Sequence, residues 1–409
     1  MSLRLKVIIY GINYSPELTG VGKYTGELSE WLSDKGHNVK VITGQPYYPD
    51  WKIFEGFNSV FYSIEKKKNL KIIRCPHYVP AKPSGLKRII HLLSFSFSSL
   101  PIIFNQIFFK PDVILFIEPP LSISPAAILV SKLTGALSWL HVQDFEVDAA
   151  FELGMLKNKF LYQTIIKLER LLISRIDIIS SISEKMIEKL SKKSVLPSKQ
   201  RMFQNWVDTD NIYPLNDCVS FRKQLSISKS KIVALYSGNM GEKQGLEIIV
   251  EAARKLQDNE DIIFLMCGNG SAINRLKEMS EGMNNVLWLP LQPMSRLNEL
   301  LNTADIHLLP QKTDATDLVM PSKLTGMMAS GKPVVATVDD QSQIAKVLEG
   351  AGYIVSPGNV RAFAESIIQL AGDKNQREIF GAQARQYSVD NLSKKAILNK
   401  FERELISLV

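Results

Sequence analysis

Residues 232–256 read IVALYSGNMGEKQGLEIIVEAARKL, and this stretch decides the fold. Its first six residues, Ile232 to Ser237, form an apolar run of the length of a buried strand. A loop with Gly238, Gly241 and Gly245 follows, and apolar residues then recur at helical spacing. A strand, a glycine-rich loop and an amphipathic helix in this order predict a βα unit of a parallel sheet.

The same alternation continues on both sides of this unit, with helical segments such as 24–35 and 161–174 between the strands. Before it, the predicted strands are Lys6 to Tyr10, Val39 to Thr43, Lys71 to Arg74, Val113 to Ile117, Leu137 to His141 and Ile176 to Ser180. After it, they are Ile262 to Cys267, Val286 to Pro290, Ile306 to Pro310, Val334 to Thr337 and Gly352 to Val355. We therefore expect two Rossmann-like, doubly wound α/β domains that face each other across a cleft, with ligands at the carboxyl ends of the strands.

A polar stretch near residue 205 separates the two series and marks the predicted hinge. The expected N-terminal domain covers residues 1–208, and the C-terminal domain covers residues 209–385. Residues 382–408 show one continuous helical pattern. We expect its last part, 386–409, to return to the N-terminal domain.

Composition indicates a folded protein with an anionic partner. The 409 residues are 45% apolar and 22% charged, which favours two domains, and the formal net charge is +8. No segment combines basic clusters with interleaved aromatic residues, so nucleic acid is not predicted as a partner. The three cysteines are scattered singly, which is typical of a reducing compartment and excludes a CxxC metal pair. The first apolar run is too short for a signal sequence, so we expect a cytoplasmic protein.

One segment, 86–109, is as long as a membrane span, but it contains four serines, Pro101, Asn105 and Gln106. We interpret it as a partly exposed helix. Its apolar residues at three- and four-residue steps are Leu86, Ile89, Ile90, Leu93 and Phe97, and the basic residues at its start are Lys82, Lys87 and Arg88. This pattern predicts either peripheral attachment to an anionic membrane surface or an ordinary helix packed on its sheet.

Two loops of the first half carry candidate functional residues. Gly20, Val21 and Gly22 precede a helix and could present amides to a phosphate, or could form a tight turn. The loop does not match GxGxxG, which argues against a dinucleotide. His141, Asp144 and Glu146 cluster at the end of the fifth strand, where a histidine is either structural or catalytic.

Together with the loop at 238–245, these segments resemble the family 4 retaining glycosyltransferases of the GT-B fold over nearly the whole chain. The segments are NYSPELTGVGKYTGELSEWLSDKGHNVKVIT (13–43), LHVQD (140–144), MFQNWVDT (202–209), LYSGNMGEKQGLEIIVEAA (235–253), LPLQP (289–293), ADIHLLP (304–310) and PSKLTGMMASGKPVVA (321–336). The loop at 238–245 and residues 317–337 look like the subgroup that builds colanic acid and related exopolysaccharides.

The chain departs from the wider family at the donor site. The two family glutamates, separated by seven residues, correspond here to Leu318 and Gly326, neither of which accepts a hydrogen bond through its side chain. Asp317 is the candidate replacement for the first. The family's phosphate-binding Arg corresponds to Asn239, and Lys243 stands one residue before the family's Lys position.

The resemblance implies transfer of a sugar from a nucleoside diphosphate sugar, UDP-sugar before GDP-sugar, to a lipid-linked saccharide acceptor at the inner face of the membrane. It implies no cofactor and no metal ion, and no DxD motif is present. The predicted catalytic residues are His141, which would bond the donor sugar, and Asp144. The predicted donor-binding residues are Gly20, Val21, Gly22, Gly238, Asn239, Lys243, Gln292, Asp317, Met320, Pro321, Ser322, Lys323 and Leu324.

Two alternative functions stay open at this point. A nucleotide-sugar 2-epimerase has the same fold and donors, and Asp144, Glu146 and Glu118 would then be its acids and bases. A catalytically silent nucleotide-sugar-binding subunit would fit the two missing glutamates.

Overall fold

The computed structural model describes residues 3–17, 20–148, 159–216, 220–241, 244–312 and 321–409. The chain divides into two compact units. Unit 1 comprises Met1–Gln204 and Leu398–Val409, and unit 2 comprises Asn205–Ile397. The domain boundaries were predicted after residues 208 and 385. The units observed in the structure change after Gln204 and after Ile397.

Unit 1 contains an eight-stranded sheet of order β3-β4-β2-β1-β5-β6-β7-β8. Its strands are β1 Lys6–Tyr10, β2 Asn38–Gly44, β3 Ser63–Lys67, β4 Leu70–Cys75, β5 Val113–Glu118, β6 Leu137–Val142, β7 Ile178–Ser181 and β8 Gln200–Met202. β3 pairs antiparallel with β4 and the other pairs are parallel. All six residues of β5 are buried, as expected for a central strand covered on both faces.

Helices cover this sheet and bury their apolar faces against it. Those of the first part of the chain are α1 Gly20–Asp34, α2 Gly85–Asn105, α3 Ser124–Thr134, α4 Lys159–Ser174 and α5 Glu184–Lys192. α2 continues as a 3-10 turn over Gln106–Phe109. Since α2 buries His91, Phe95 and Ile103 and leaves Leu86 and Phe97 exposed, only one of its faces packs on unit 1.

Unit 2 contains a six-stranded parallel sheet of order β11-β10-β9-β12-β13-β14. Its strands are β9 Ile232–Asn239, β10 Ile262–Asn269, β11 Val286–Leu289, β12 Ile306–Pro310, β13 Val334–Thr337 and β14 Gly352–Val355. Its helices are α6 Ser220–Gln224, α7 Glu247–Lys255, α8 Ile273–Met279, α9 Leu297–Thr303, α10 Ser322–Ala329, α11 Gln343–Val347, α12 Val360–Gly372 and α13 Lys374–Tyr387.

The predicted α/β units with parallel sheets are confirmed, and each predicted strand has its counterpart. The prediction missed β3, an exposed edge strand, and β8, which has only three residues. One continuous helix over 382–408 was wrong. A π-helical turn at Ser388–Leu392 ends α13, and α14 begins at Lys394 and runs to Leu408. The helix breaks here because the Val207 amide donates to Leu392 O and the Lys394 amide donates to Val207 O. Leu392 O and Lys394 N are therefore bonded to Val207 instead of to other residues of a helix.

The final segment of the chain packs on unit 1. Phe401 of α14 stacks on Phe203 with ring centroids 4.3 Å apart and lies 5.0 Å from the Trp139 ring. Glu402 accepts a hydrogen bond from Trp31 Nε1 at 3.3 Å. Residues 398–409 therefore complete the unit formed by residues 1–204.

Candidate functional site

The carboxyl ends of β9 and β10 approach each other closely in unit 2. Gly238 pairs with Gly268 in the sheet, and a Cβ on Gly268 would lie 1.9 Å from Gly238 O. Gly268 also has φ +150, a conformation that side chains rarely adopt. The sequence predicted only a turn at Gly268 to Gly270, and the structure adds that the glycines allow this close approach.

Lys323, in the first turn of α10, reaches the same place. Its Nζ donates to Gln244 Oε1 at 2.8 Å and to Tyr236 OH at 3.3 Å, and it lies 4.8 Å from the centre of the Tyr236 ring. The Tyr236 hydroxyl in turn donates to Asn239 O at 2.6 Å. The structure thus brings together Lys323, Asn239 and the start of the glycine-rich loop, as the sequence predicted.

The electrostatic state of Lys323 is unusual for a lysine. Burial lowers the pKa of Lys323 to about 8, because an ammonium group loses hydration there. Its hydrogen-bond partners, an amide oxygen and a hydroxyl, are uncharged. Among the described residues no carboxylate pairs with it. An anion bound beside Lys323 would raise this pKa again and favour the charged ammonium form.

The remaining residues predicted to bind the donor fall into three groups. Pro321 and Ser322 start α10, and no side chain caps this helix start. The Leu324 side chain is fully buried in the core of unit 2, and its amide already donates to Pro321 O at 3.0 Å, so Leu324 offers a ligand little. Gln292 is half-buried and donates to Pro290 O, just after β11, which is two strands away from β9. Lys243, Asp317 and Met320, as well as Leu318, lie outside the described residues.

In unit 1, the first turn of α1 contains Gly20, Val21 and Gly22. A Cβ on Gly22 would lie 2.5 Å from Glu17 Oε2, so the glycine makes room for this carboxylate. Glu17 Oε1 accepts the amides of Tyr47 and Tyr48 at 3.0 and 3.1 Å. The buried carboxylate of Glu17 therefore ties the loop after β1 to the loop after β2, a role that sequence reasoning missed.

His141 is buried at the end of β6, and both of its ring nitrogens have neighbours. Nδ1 lies 2.9 Å from Ser180 Oγ, and Nε2 lies 2.8 Å from the side-chain nitrogen of Gln143. Burial lowers the pKa of His141 to about 3, so the ring is neutral near pH 7. A sugar hydroxyl that bonds to Nε2 has to replace Gln143, and the predicted role of His141 stays a prediction.

Acidic side chains meet beside β5. Glu118 is fully buried and accepts the amide of Glu146 at 3.3 Å. Burial, followed by the charges of Glu169 and Glu146, raises the pKa of Glu118 well above its usual value. Asp144, predicted to be catalytic, is exposed. Within the described ranges, no group of three or more His, Cys, Asp or Glu side chains is placed to hold a metal ion.

Comparison with known proteins follows the same division of the chain. Residues 19–206 match the family described as glycosyl transferase 4-like domain, and residues 220–387 match glycosyl transferases group 1. The chain is 39% identical over 411 aligned residues to the protein of Escherichia coli K12 named for colanic acid biosynthesis, the glycosyl transferase WcaI. The alignment covers 98% of this chain and 100% of that protein.

Solved structures show the same fold at low sequence identity. Sucrose-phosphate synthase from Thermosynechococcus elongatus has a TM-score of 0.76 and 16% identity, covering 99% of this chain and 100% of that one. HepE of Anabaena, solved in complex with UDP, has a TM-score of 0.71 and 13% identity, covering 98% and 100%. The match to WcaI extends over both chains, and both units match glycosyltransferase families. The chain therefore belongs to the family 4 glycosyltransferases of the GT-B fold.

Proposed function

We propose that this glycosyltransferase is a retaining enzyme that moves a sugar from a nucleoside diphosphate sugar to a lipid-linked saccharide during exopolysaccharide assembly. Its relative WcaI, named for colanic acid biosynthesis, supports the pathway class. The UDP bound to HepE supports UDP-sugar before GDP-sugar as the donor.

The observation that carries the proposal is the buried ammonium group of Lys323, which no carboxylate among the described residues balances. A diphosphate beside the start of α10 would contact the Lys323 ammonium group. It would also lie at the positive end of the helix dipole. Gly238 leaves room for the Lys323 side chain, whose Cδ would lie 3.6 Å from a Cβ at that position. This arrangement suits the part of the donor that becomes the leaving group.

The chemistry requires stabilisation of that leaving group. The bond between the sugar C1 and the phosphate oxygen breaks, and an acceptor hydroxyl oxygen forms the new bond to C1 on the same face. The acceptor proton passes to the departing phosphate oxygen, and the nucleoside diphosphate carries away the bonding electron pair. A lysine and oriented amides can stabilise the developing negative charge without a metal ion.

A lipid-linked acceptor has its reactive end at the bilayer surface, and α2 supports attachment there. Leu86, Ile90, Leu93 and Phe97 are exposed and recur on one face of α2. In the described part of the chain, residues Gly85–Phe109 form one helical stretch long and apolar enough to cross a membrane, judged by length and composition only. Because the opposite face of α2 packs on unit 1, we propose that the helix lies along the surface rather than across the bilayer.

The proposal is tested by incubating the purified protein with UDP- and GDP-sugars and a lipid-linked monosaccharide. We expect one donor to yield a lengthened lipid-linked product and a free nucleoside diphosphate, with retained anomeric configuration by NMR. Lys323→Met should abolish turnover, while Lys374→Met, at an exposed lysine of unit 2, should not. A new nucleotide sugar without transfer would instead identify an epimerase, and binding of every donor without turnover would identify a silent subunit.

A further inference from the structure

Two buried histidines lie side by side in unit 1, away from His141. His77 follows β4 and His91 belongs to α2, and their side chains are 5% and 1% exposed. Their ring centroids are 5.1 Å apart. Gly44, the last residue of β2, permits this arrangement, because a Cβ there would lie 2.8 Å from His77 Cε1. The absence of a side chain at Gly44 thus leaves the space that the His77 ring occupies.

Three buried polar atoms of this cluster have no hydrogen-bond partner among the described residues. They are His77 Nε2, His91 Nε2 and Gln45 Oε1. The other polar atoms of the same side chains are engaged: His91 Nδ1 donates to Tyr78 O at 2.5 Å, and Gln45 Nε2 donates to Phe61 O at 3.1 Å. Buried polar atoms without partners are costly and rare, so three in one cluster require hydrogen bonds from buried water or from a ligand that displaces it.

Aromatic rings form the walls around these atoms. The Tyr47 ring lies 4.6 Å from the His91 ring and 5.5 Å from that of His77, and the Trp51 ring lies 5.2 Å from His91. Trp51 is only half-buried and has φ +53, a left-handed conformation that is strained for a bulky residue. The Arg88 guanidinium covers the outer side of this ring at 5.4 Å. Trp51 is therefore the wall of the cluster that reaches the surface.

The chemistry of the cluster narrows the class of ligand. Among the described residues, no third His, Cys, Asp or Glu side chain joins the two histidines to form a metal-binding group. An anion would need positive charge, but burial lowers the pKa of His77 to about 3 and that of His91 to about 4, so both rings are neutral near pH 7. Neutral donors and acceptors beside aromatic faces suit a sugar ring, which combines hydroxyl groups with an apolar C–H face.

The cluster is also connected to the predicted reaction region of unit 1. Glu17, which packs on Gly22, accepts the amides of Tyr47 and Tyr48. A Cβ on Gly20 would lie 3.7 Å from the Tyr48 ring. A sugar held by Tyr47 and its neighbours would therefore lie next to the first turn of α1.

We propose that Gln45, His77 and His91 hydrogen-bond one neutral pyranose ring of the acceptor, while Tyr47 and Trp51 pack against its C–H face. Trp51 moves outward to admit the ring. The assignment of the ring to the acceptor rests on the proposed function, whereas the binding of a free sugar does not.

The test uses the full chain labelled with 15N-histidine, because the five histidines give a simple spectrum. Methyl glycosides of glucose, galactose, mannose and fucose are the probes. We expect at least one of them to shift the Nε2 resonances of His77 and His91 and to leave that of His307, a buried histidine of unit 2, unchanged. Loss of one hydrogen bond in His77→Gln or His91→Gln should weaken binding about tenfold.

Trp51→Gly covers the case in which the histidine variants fail to fold. Glycine adopts φ +53 without strain, which offsets part of the packing lost with the indole ring, so this variant should still fold and should bind the glycoside several-fold more weakly. Absence of shifts with every glycoside, in a protein that binds UDP or GDP, overturns the sugar site and leaves the proposed function intact. If a glycoside shifts the histidine resonances but the protein binds neither UDP nor GDP, the sugar site is supported and the proposed function is rejected.

A competition experiment separates the two possible sources of the ring. If the acceptor sugar occupies the cluster, a saturating nucleotide sugar leaves glycoside binding unchanged or strengthens it. Displacement of the glycoside by the nucleotide sugar, but not by the nucleotide alone, would mean that the cluster holds the donor sugar, and this outcome would overturn the acceptor assignment.

Discussion

Glu118, the last residue of β5, shows at the scale of one residue how burial sets protonation. Its side chain is fully buried, and one of its carboxyl oxygens has no partner among the described residues. Its pKa is raised by burial first and by neighbouring acids second. The folded protein therefore holds a proton on Glu118 at pH values where the unfolded chain has released it.

This protonation predicts a measurable pH dependence of stability. For an acid with a raised pKa in the folded state, the stability is complete below the unfolded pKa of 4.5 and is lost as the pH rises toward the folded pKa. In that window the free energy of unfolding should fall by about 1.4 kcal/mol per pH unit from this group. Glu118→Gln should remove that slope, as measured by urea unfolding between about pH 5 and about pH 8.

The exposed Glu281→Gln serves as the matched control and should keep the wild-type slope. An equal slope in Glu118→Gln and in wild type would mean that Glu118 is ionised in the folded protein.

Lys323 carries the second prediction at this scale. Binding of UDP should raise its pKa from about 8, since the diphosphate favours the ammonium form. Affinity should thus be constant below about pH 8 and fall above it, until the pKa of the complex is passed. Lys323→Met should weaken UDP binding by about 1 to 3 kcal/mol and abolish this fall. Calorimetric titration with UDP across this pH range measures the affinity of both proteins. The same pH profile in wild type and Lys323→Met would show that another group causes the dependence.

At the scale of elements, α2 packs one face on unit 1 and exposes apolar residues on the other. Its apolar outer face predicts binding to acidic vesicles, with the basic residues at its start meeting the headgroups. Each basic residue contributes about 1 kcal/mol, so a triple Gln variant should bind such vesicles roughly 100-fold more weakly in co-sedimentation. The residues changed are Lys82, Lys87 and Arg88.

The control changes three exposed lysines of unit 2 to Gln, namely Lys255, Lys346 and Lys374. Vesicle binding should be retained in that variant, and high salt should release the wild type. Equal losses in both variants would assign the binding to net charge and not to α2.

The sequence predicts the elements better than the contacts between them. Buried strands such as β5 are recognisable in the sequence as unbroken apolar runs. The edge strand β3 is polar and has no such run. Lys323 and Gly238 could be proposed from the sequence because they lie in recognisable motifs, and their roles stay predictions. The cluster of Gln45, His77 and His91 was missed because its members come from three separate segments, and only the folded sheet brings Gln45 and His77 together. The aromatic run at Tyr47 to Trp51 was the one available signal.

At the scale of the whole molecule, α14 predicts how unit 1 depends on the end of the described chain. Phe401 is buried between Trp139 and Phe203, so Phe401→Ala should destabilise unit 1 by about 3 to 5 kcal/mol. Lys400→Ala, exposed on the same helix, should have little effect. Denaturant unfolding followed by tryptophan fluorescence measures both. A loss below about 1 kcal/mol in Phe401→Ala would show that the segment does not contribute to the core of unit 1.

The division of the chain also orders events during synthesis. The ribosome makes most of unit 1 first, then all of unit 2, and only then residues 398–409, which complete unit 1. Phe401 covers the surface of Trp139 and Phe203 in the folded protein. During synthesis this surface therefore stays exposed to water while the 193 residues of unit 2 are translated. Unit 1 is therefore completed only after unit 2 has been translated, and in this interval its uncovered aromatic surface is open to non-native contacts.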